Sequence, residues 1–277
     1  MNSGLYVVAT PIGNFGDMSQ RAIEVLQNAD LIAAEDTRHS QRLLQFFAID
    51  TPTMAYHDHS DDRALQRIIK CLADGGRVAL VSDAGTPLIS DPGYRLVRQV
   101  QDGGFAVYPL PGPCAAIAAL SVSGLPTDRF LFEGFLPARE GARNNRLAAL
   151  ATEPMTLIFY EAPHRIKESL QSMLQVFGDR EAVLARELTK TFETIRRGPL
   201  SELARFVDAD SNQQKGEIVL IVSGKPRGEQ EIDADVSALL QRLAQELPAK
   251  TAAAVVADCT GLRKKQLYEH LLALKQA

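Results

Sequence analysis

Several features that would assign the chain to a particular class of protein are absent from its sequence. Its three cysteines, Cys71, Cys114 and Cys259, are an odd number and lie far apart, which excludes a disulfide framework and a Cys-x-x-Cys metal site. No apolar run approaches the ~18 residues of a membrane span, and no basic segment followed by an apolar one begins the sequence. We therefore expect a soluble, cytoplasmic protein.

The sequence also lacks an excess of positive charge and three common motifs of nucleotide-binding proteins and hydrolases. The formal net charge is −4 at pH 7, so a nucleic-acid partner would have to be bound by a local basic patch. Neither the G-x-G-x-x-G fingerprint, the P-loop nor the G-x-S-x-G elbow occurs. The sequence therefore lacks the known signatures of dinucleotide-binding proteins, P-loop proteins and α/β-hydrolases.

What is present is a globular composition, 45% hydrophobic and 23% charged, in 277 residues, which fits about two domains. Short apolar segments alternate with helical patterns, the first of them capped by Ser19, and this alternation predicts an α/β fold with a mostly parallel sheet. Later strands are predicted at 130–135, 156–160, 182–185 and 218–222. The predicted domains are an N-terminal α/β domain (1–123), a second α/β domain (124–224), a linker (225–234) and a helical tail (235–277). In the tail, Gly261 separates two helices as in a helix-turn-helix.

Four predicted strand ends carry loops of turn-forming residues, at 10–14, 34–38, 81–93 and 111–116. The carboxyl end of a strand is where open α/β sheets bind ligands, and glycines such as Gly85 can present backbone N–H groups there. The four loops together favour a small-molecule cleft. For the 81–93 loop, the alternative is a plain strand-to-helix connection with Asp91 as the helix N-cap.

Three other polar segments are candidate sites. His57 and His59 can share a metal ion, but a polar helix entry capped by Ser60 is the favoured interpretation, and we expect no metal. Residues 161–165 either face a cleft or begin a capped helix, and both interpretations remain open. Residues 186–193 follow an apolar strand, which favours a site over a solvated edge.

The four loops resemble, in their order, the motif set of the tetrapyrrole-methylase superfamily. Phe-Glu-Gly-Phe-Leu-Pro at 132–137, together with 161–165 and 185–193, is similar to one branch, the ribosomal RNA small subunit methyltransferase I family. The resemblance covers about residues 5–274. Phe192 stands where an aromatic residue, often Trp, is usual, and Cys114 where Ser is common.

This resemblance implies two α/β domains with S-adenosylmethionine in the cleft between them. It implies methylation of the ribose 2′-hydroxyl of a cytidine in the decoding region of 16S rRNA, within the small ribosomal subunit, by an enzyme that is commonly a homodimer. Positioning supplies most of the rate in such a transfer, and a base that takes the hydroxyl proton adds to it. The resemblance places eight residues at the cofactor: Pro11, Asp83, Ala84, Gly85, Cys114, Ala115, Phe135 and Leu136. Six residues are candidates for the base, and the sequence does not choose among them: Glu35, Asp36, Glu161, His164, Glu187 and Lys190.

Two basic clusters are candidate RNA contacts. Arg139, Arg143 and Arg146 share one face if their segment is helical. Arg263, Lys264 and Lys265 begin the last predicted helix, where cations are disfavoured by the helix dipole but phosphates are attracted. These clusters argue against a tetrapyrrole carbon methyltransferase, since a small macrocycle needs neither. A ribosome-assembly factor without enzymatic activity is the other alternative, and binding of S-adenosylmethionine would discriminate against it.

Overall fold

The protein is described here by a computed structural model that covers residues 1–57, 62–226 and 232–276. Its contacts divide the chain into two units, Met1–Gly224 and Lys225–Ala277. The larger unit contains two five-stranded sheets, and the smaller one is helical. None of the described helices is both long enough and apolar enough to cross a membrane.

The first sheet is parallel throughout, in the order β3-β2-β4-β1-β5. Its strands are β1 (Gly4–Val8), β2 (Leu31–Ala34), β3 (Thr53–Ala55), β4 (Arg77–Val81) and β5 (Val107–Leu110). Its helices are α1 (Gln20–Asn28), α2 (Thr37–Phe46), α3 (Asp62–Ala73), α4 (Tyr94–Asp102) and α5 (Ala115–Ser123). The predicted parallel arrangement is confirmed for this sheet.

Helices cover both faces of the first sheet, which explains why its central strands are apolar without alternation. Leu26 of α1 and Leu44 of α2 pack on one face, and Ile68 of α3 and Leu96 of α4 pack on the other. The predicted cap of α1 is confirmed, because the Ser19 hydroxyl accepts a hydrogen bond from the Ala22 N–H at 3.2 Å.

The start of α4 differs from the prediction. Its N-cap is Gly93, whose φ of 132° is in a region that favours glycine, and no side chain caps the helix. Asp91 as the N-cap is therefore wrong, and its carboxylate is left available for another role.

The second sheet has the order β6-β7-β10-β8-β9. Its strands are β6 (Phe130–Phe135), β7 (Thr156–Glu161), β8 (Glu181–Arg186), β9 (Thr194–Pro199) and β10 (Ile218–Val222), and its helices are α6 (Glu140–Leu150), α7 (Ile166–Phe177) and α8 (Leu200–Ala209). Only the β6–β7 pair is parallel; the other three pairs are antiparallel. Neither β9 nor α8 was predicted from the sequence. β9 is an edge strand with charged, exposed residues and no clear apolar alternation, whereas α8 does have a helical spacing, at Leu200, Leu203 and Val207, that was overlooked.

Helix α5 connects the two sheets. Although it follows β5 of the first sheet, Ala116, Ala119 and Leu120 pack on Ile158 and Val219 of the second. Alanine side chains are small, so the helix lies close against that sheet. This contact brings the carboxyl end of the first sheet against the second and creates a cleft between them.

The smaller unit consists of α9 (Ala234–Glu246), α10 (Ala249–Thr260) and α11 (Lys264–Gln276). These helices share an apolar core that includes Leu240, Val256 and Leu267. Gly261 ends α10 in the left-handed conformation, with φ 73°, and its N–H donates to the Ala257 carbonyl at 2.8 Å. The predicted helix-turn-helix-like tail is confirmed.

Candidate active site

A cavity of about 420 Å³ lies between the two sheets of the larger unit. Ile12, Glu35, the 81–93 loop and Ala115 line it from the ends of β1, β2, β4 and β5. The ends of β6, β7 and β8 and the start of β10 form the opposite wall. All four predicted loops therefore meet at one cavity, of a size typical of small-molecule sites.

Backbone hydrogen bonds hold the first of these loops to the third. Thr10 and Gly85 exchange two of them, with the Thr10 N–H 2.8 Å from the Gly85 carbonyl oxygen and the Gly85 N–H 3.0 Å from the Thr10 oxygen. The Thr86 hydroxyl donates to the Pro113 carbonyl at 2.9 Å and joins the fourth loop. Gly85, at φ 81°, thus shapes the cavity wall, and its own N–H is not free to bind a ligand, contrary to the sequence-based expectation.

Strained backbone is concentrated in the two loops that border the cavity. Leu88 (φ 75°) and Ser90 (φ 63°) lie in the 81–93 loop, and Glu187 (φ 52°) and Thr189 (φ 66°) follow β8. Such conformations cost roughly 1–3 kcal/mol each and persist where the surroundings hold them in place. Gly134, at a bulge in β6, has room only for hydrogen, since a Cβ there would lie 2.9 Å from the Ser90 hydroxyl. The two walls are therefore in close contact.

Three of the residues that line the cavity on the side of the first sheet are carboxylates: Glu35, Asp83 and Asp91. The Asp83 N–H lies 3.4 Å from a Glu35 carboxylate oxygen, and the Asp36 N–H donates to the Asp83 carboxylate at 3.1 Å. Burial raises the pKa of Glu35, and the charge of Asp83 adds to the rise. Burial also raises the pKa of Asp91 to about 6, against a hydrogen bond with Ser82 and with help from the neighbouring negative charges. Three acidic side chains thus lie together on this side of the cavity.

Glu161 is a fourth carboxylate on the cavity wall, but its oxygens are already engaged. One accepts from the Ala162 N–H at 2.8 Å and lies 3.3 Å from Nε of Arg165, and the other accepts from the Ser169 hydroxyl. The residue is only 2% exposed. This buried ion pair fixes the end of β7 and occupies both carboxylate oxygens of Glu161.

Lys190 joins two further carboxylates at the edge of the cavity. Its ammonium donates to Glu187 at 2.9 Å and to Glu217 at 3.1 Å. Burial alone would lower the pKa of Lys190, but the two carboxylates raise it above its ordinary value. For Glu187 the directions are reversed. Burial would raise its pKa, but hydrogen bonds from the Lys190 ammonium and the Glu217 N–H lower the pKa below its ordinary value. Lys190 is consequently a fixed cation at neutral pH and not a proton acceptor.

Comparison with known proteins identifies the family. The family model for tetrapyrrole (corrin/porphyrin) methylases matches residues 4–204, and the RsmI C-terminal HTH domain matches residues 230–275. Ribosomal RNA small subunit methyltransferase I of Pseudomonas aeruginosa is 58% identical over 276 residues, 98% of each chain. The Escherichia coli O157:H7 protein of the same name is 53% identical, over 97% of this chain and 94% of its own.

The chain belongs to the ribosomal RNA small subunit methyltransferase I family. Solved structures agree on the fold alone, because their sequence identity is low. Cobalt precorrin-4 methyltransferase has a TM-score of 0.60 at 15% identity, covering 79% of this chain and 94% of its own. Diphthine synthase has a TM-score of 0.62 at 15% identity, covering 79% of this chain and 89% of its own.

Five of the eight cofactor residues expected from this family resemblance line the cavity: Asp83, Ala84, Gly85, Ala115 and Phe135. Pro11 and Leu136 are buried just behind the wall, and Cys114 is half-buried before α5. Of the six candidate bases, only Glu35 and Glu161 line the cavity. Asp36 instead caps α2 and pairs with Arg38, and His164 is exposed and is not among the residues that line the cavity.

Sequence reasoning missed Tyr160, Asp91 as a cavity residue, and the 216–219 segment. The Tyr160 hydroxyl accepts from the Ala116 N–H at 3.1 Å, and burial raises its pKa. Tyr160 could have been identified from its position at the end of the strand predicted at 156–160. Asp91 could have been identified from its place in the 81–93 loop. Residues 216–219 reach the cavity only through the order of the second sheet, which no local pattern reveals.

The three arginines of α6 do not share an exposed face. Arg143 is 2% exposed, and its guanidinium donates to Ser172 at 3.0 Å and to the Ala138 carbonyl at 3.1 Å. Its expected role in RNA binding is therefore corrected to a packing role. Arg146 is bound through two hydrogen bonds to Glu133, and only Arg139 is exposed without an ion-pair partner among the described residues.

The remaining basic residues lie where the sequence placed them. Arg263, Lys264 and Lys265 are exposed at the start of α11, with Lys265 3.8 Å from Glu269. For the possible metal segment, Asp58, His59, Ser60 and Asp61 lie outside the described residues, so the expected absence of a metal there stays a prediction.

Proposed function

We propose that this protein transfers a methyl group from S-adenosylmethionine to the ribose 2′-hydroxyl of a cytidine in the decoding region of 16S rRNA. Membership of the family supports methylation of small-subunit rRNA. The cofactor, the ribose position and the nucleotide are the parts of the proposal that go further. They rest on the family resemblance of the motifs and on the chemistry of the cavity.

The charge of the cavity is the observation that carries the proposal. Five carboxylates are among the described residues that line it, Glu35, Asp83, Asp91, Glu161 and Glu217, and those residues include no lysine, arginine or histidine. Glu161 is paired with Arg165 and Glu217 with Lys190 from behind the wall, so the negative charge that faces a ligand comes from Glu35, Asp83 and Asp91. A cavity of this kind repels phosphates and attracts cations. S-adenosylmethionine has a sulfonium and an ammonium group, so its charge fits the acidic wall.

The remaining wall suits the rest of that cofactor. Ile12, Ile89, Phe135 and Leu188 offer apolar surface of the kind that surrounds an adenine. When bound, S-adenosylmethionine supplies an electrophilic methyl group. The protein itself has to orient that group and the ribose, exclude water and take up one proton.

Among the six candidate bases, Glu35 combines the required properties best. It lines the cavity, and its raised pKa makes it a better proton acceptor than an ordinary glutamate. Glu161 lines the same cavity but is held in a buried ion pair, and Lys190 is already protonated. We therefore assign the proton acceptor to Glu35 and the contact with the positive cofactor to Asp91.

RNA binding is assigned to the surface around the cavity and to the tail, through Arg139 and the three basic residues at the start of α11. We assign catalysis to the two α/β domains, with the boundary between them near residue 123. A homodimer, implied by the family resemblance, and a cytoplasmic location, expected from the sequence, complete the proposal.

Calorimetry with S-adenosylmethionine, followed by transfer of its labelled methyl group to small subunits that lack the modification, tests the proposal. Saturable binding and incorporation into 16S rRNA are expected. If the protein binds the subunit but not the cofactor, it is an assembly factor and the proposal fails.

A further inference from the structure

An exposed aromatic cluster lies outside the cavity and plays no part in the chemistry described above. The rings of Phe15 and Phe46 are 4.8 Å apart, and those of Phe46 and Phe47 are 4.9 Å apart. Phe47 packs against the apolar core, whereas Phe46 is 64% exposed. Phe46 therefore continues an apolar, aromatic surface formed with Phe15 and Phe47, and contiguous exposed surfaces of this kind are typical of binding sites.

Basic side chains continue from this cluster along α2. His39, Arg42 and Phe46 are spaced by three and four residues, so they lie on one face of the helix, and all three are exposed. The helix contains two arginines and one histidine but no acidic residue. Arg42 has no ion-pair partner among the residues that the structure describes.

Both segments that form this surface begin at the cavity. Helix α2 starts two residues after Glu35, and Phe15 follows Ile12 by three residues, while Glu35 and Ile12 both line the cavity. The helix rises about 1.5 Å per residue, so its exposed face extends roughly 15 Å from the cavity edge to Phe46. An extended ligand that occupies the cavity can therefore continue along this face.

From this geometry we infer that the outer face of α2, with Phe15, binds the single-stranded RNA that flanks the target nucleotide. Phe46 stacks on a base, and Arg42 contacts a phosphate. Unpaired bases of RNA are bound in this way by aromatic rings and arginines, and a helix that has Arg42 exposed and no acidic residue has the charge that attracts phosphates. The inference rests on the proposed function for the identity of the RNA.

Phe46→Ala and Phe46→Leu, assayed on small subunits that lack the modification, test the stacking. Leucine keeps the apolar surface but removes the ring, so both variants should raise the KM for the subunit roughly tenfold or more. Phe46→Tyr should restore it. The Kd for S-adenosylmethionine should not change in any of the three variants. Tyr94→Ala is the matched control, because Tyr94 is also 64% exposed but lies on α4, on the opposite face of the first sheet.

Arg42→Ala tests the phosphate contact. It should reduce the salt dependence of binding to a single-stranded oligoribonucleotide by about 0.7 units of log–log slope, while Arg67→Ala on α3 should not. This binding assay works even if the wild-type protein fails to methylate subunits, so failure of the proposed function is recognised separately.

A normal KM for Phe46→Ala or Phe46→Leu would overturn the inference. So would a change of mass for Phe46→Ala in light scattering, since it would show that the surface binds a second protein chain.

Discussion

Replacing Asp91 with Asn should weaken the binding of S-adenosylmethionine and remove most of its dependence on pH. Asp91 lines the cavity, and its pKa of about 6 reflects burial beside Glu35 and Asp83. A cation bound there favours the ionised carboxylate. In the wild-type protein at about pH 5, about one Asp91 in eleven is ionised, so the Kd should be roughly tenfold higher than at about pH 7.5.

The variant has no charge to lose at this position. Its Kd at about pH 7.5 should be roughly tenfold or more above the wild-type value and should change little down to about pH 5. Isothermal titration calorimetry at both pH values measures this. Asp102→Asn is the control, because Asp102 is exposed at the end of α4 and pairs only loosely with Arg98, at 3.8 Å. Equal affinities for wild type and Asp91→Asn at both pH values would refute the role of Asp91.

Although Asp91→Asn should weaken cofactor binding, it should increase the stability of the folded protein at neutral pH. The folded-state pKa of Asp91 lies above the ordinary value of 3.8, so folding favours the protonated form. This contribution to stability is complete below about pH 4 and is lost as the pH rises through about 6. The Asn variant should therefore be more stable than wild type above about pH 6, by about 1 kcal/mol after solvent screening, and equally stable near pH 4. Thermal melts across this range check the sign.

Three further predictions concern the base, the cavity wall and the tail. Glu35→Gln should lower kcat by roughly 10²-fold or more with little change in the KM for the small subunit, and a normal kcat would exclude Glu35 as the base. Gly85→Val, strained by φ 81° and 3.4 Å from Ile12, should abolish binding of S-adenosylmethionine in calorimetry while circular dichroism stays normal. Its control is Gly104→Val, at φ 77° with open space around it, and equal affinities would place the cofactor elsewhere. Changing the three basic residues at the start of α11 to Ala should reduce the salt dependence of subunit binding by about 2 units of log–log slope, and an unchanged slope would mean that the tail does not bind RNA.

Local patterns predicted the first sheet well, because four of its five strands, β1, β2, β4 and β5, end in a loop of turn residues. Parallel strands place those ends at one edge, so the meeting of the four loops followed from the pattern. The second sheet was harder. Its antiparallel order and the edge strand β9 depend on contacts between distant parts of the chain, which leave no local signature.

Individual side chains show the same limit. Arg143 has the spacing of an exposed helical face, but Ser172 of α7 binds its guanidinium, and only the packing of two helices reveals this. Gly85 was expected to offer its N–H to a ligand, yet that group is used by Thr10, 75 residues earlier in the chain. Asp91 looked like a helix cap because its neighbours in sequence suggested one. Its burial beside other carboxylates is visible only in three dimensions.

The central claim is tested most directly by nucleoside mass spectrometry of 16S rRNA. Small subunits that lack the modification would be incubated with the purified protein and S-adenosylmethionine, and the rRNA digested and compared with a sample that received the Glu35→Gln variant. A new 2′-O-methylcytidine in a fragment from the decoding region, strongly reduced with the variant, is the predicted result. A methyl group on a base, a methylated ribose elsewhere in the rRNA, or no new methylated nucleoside would contradict the claim.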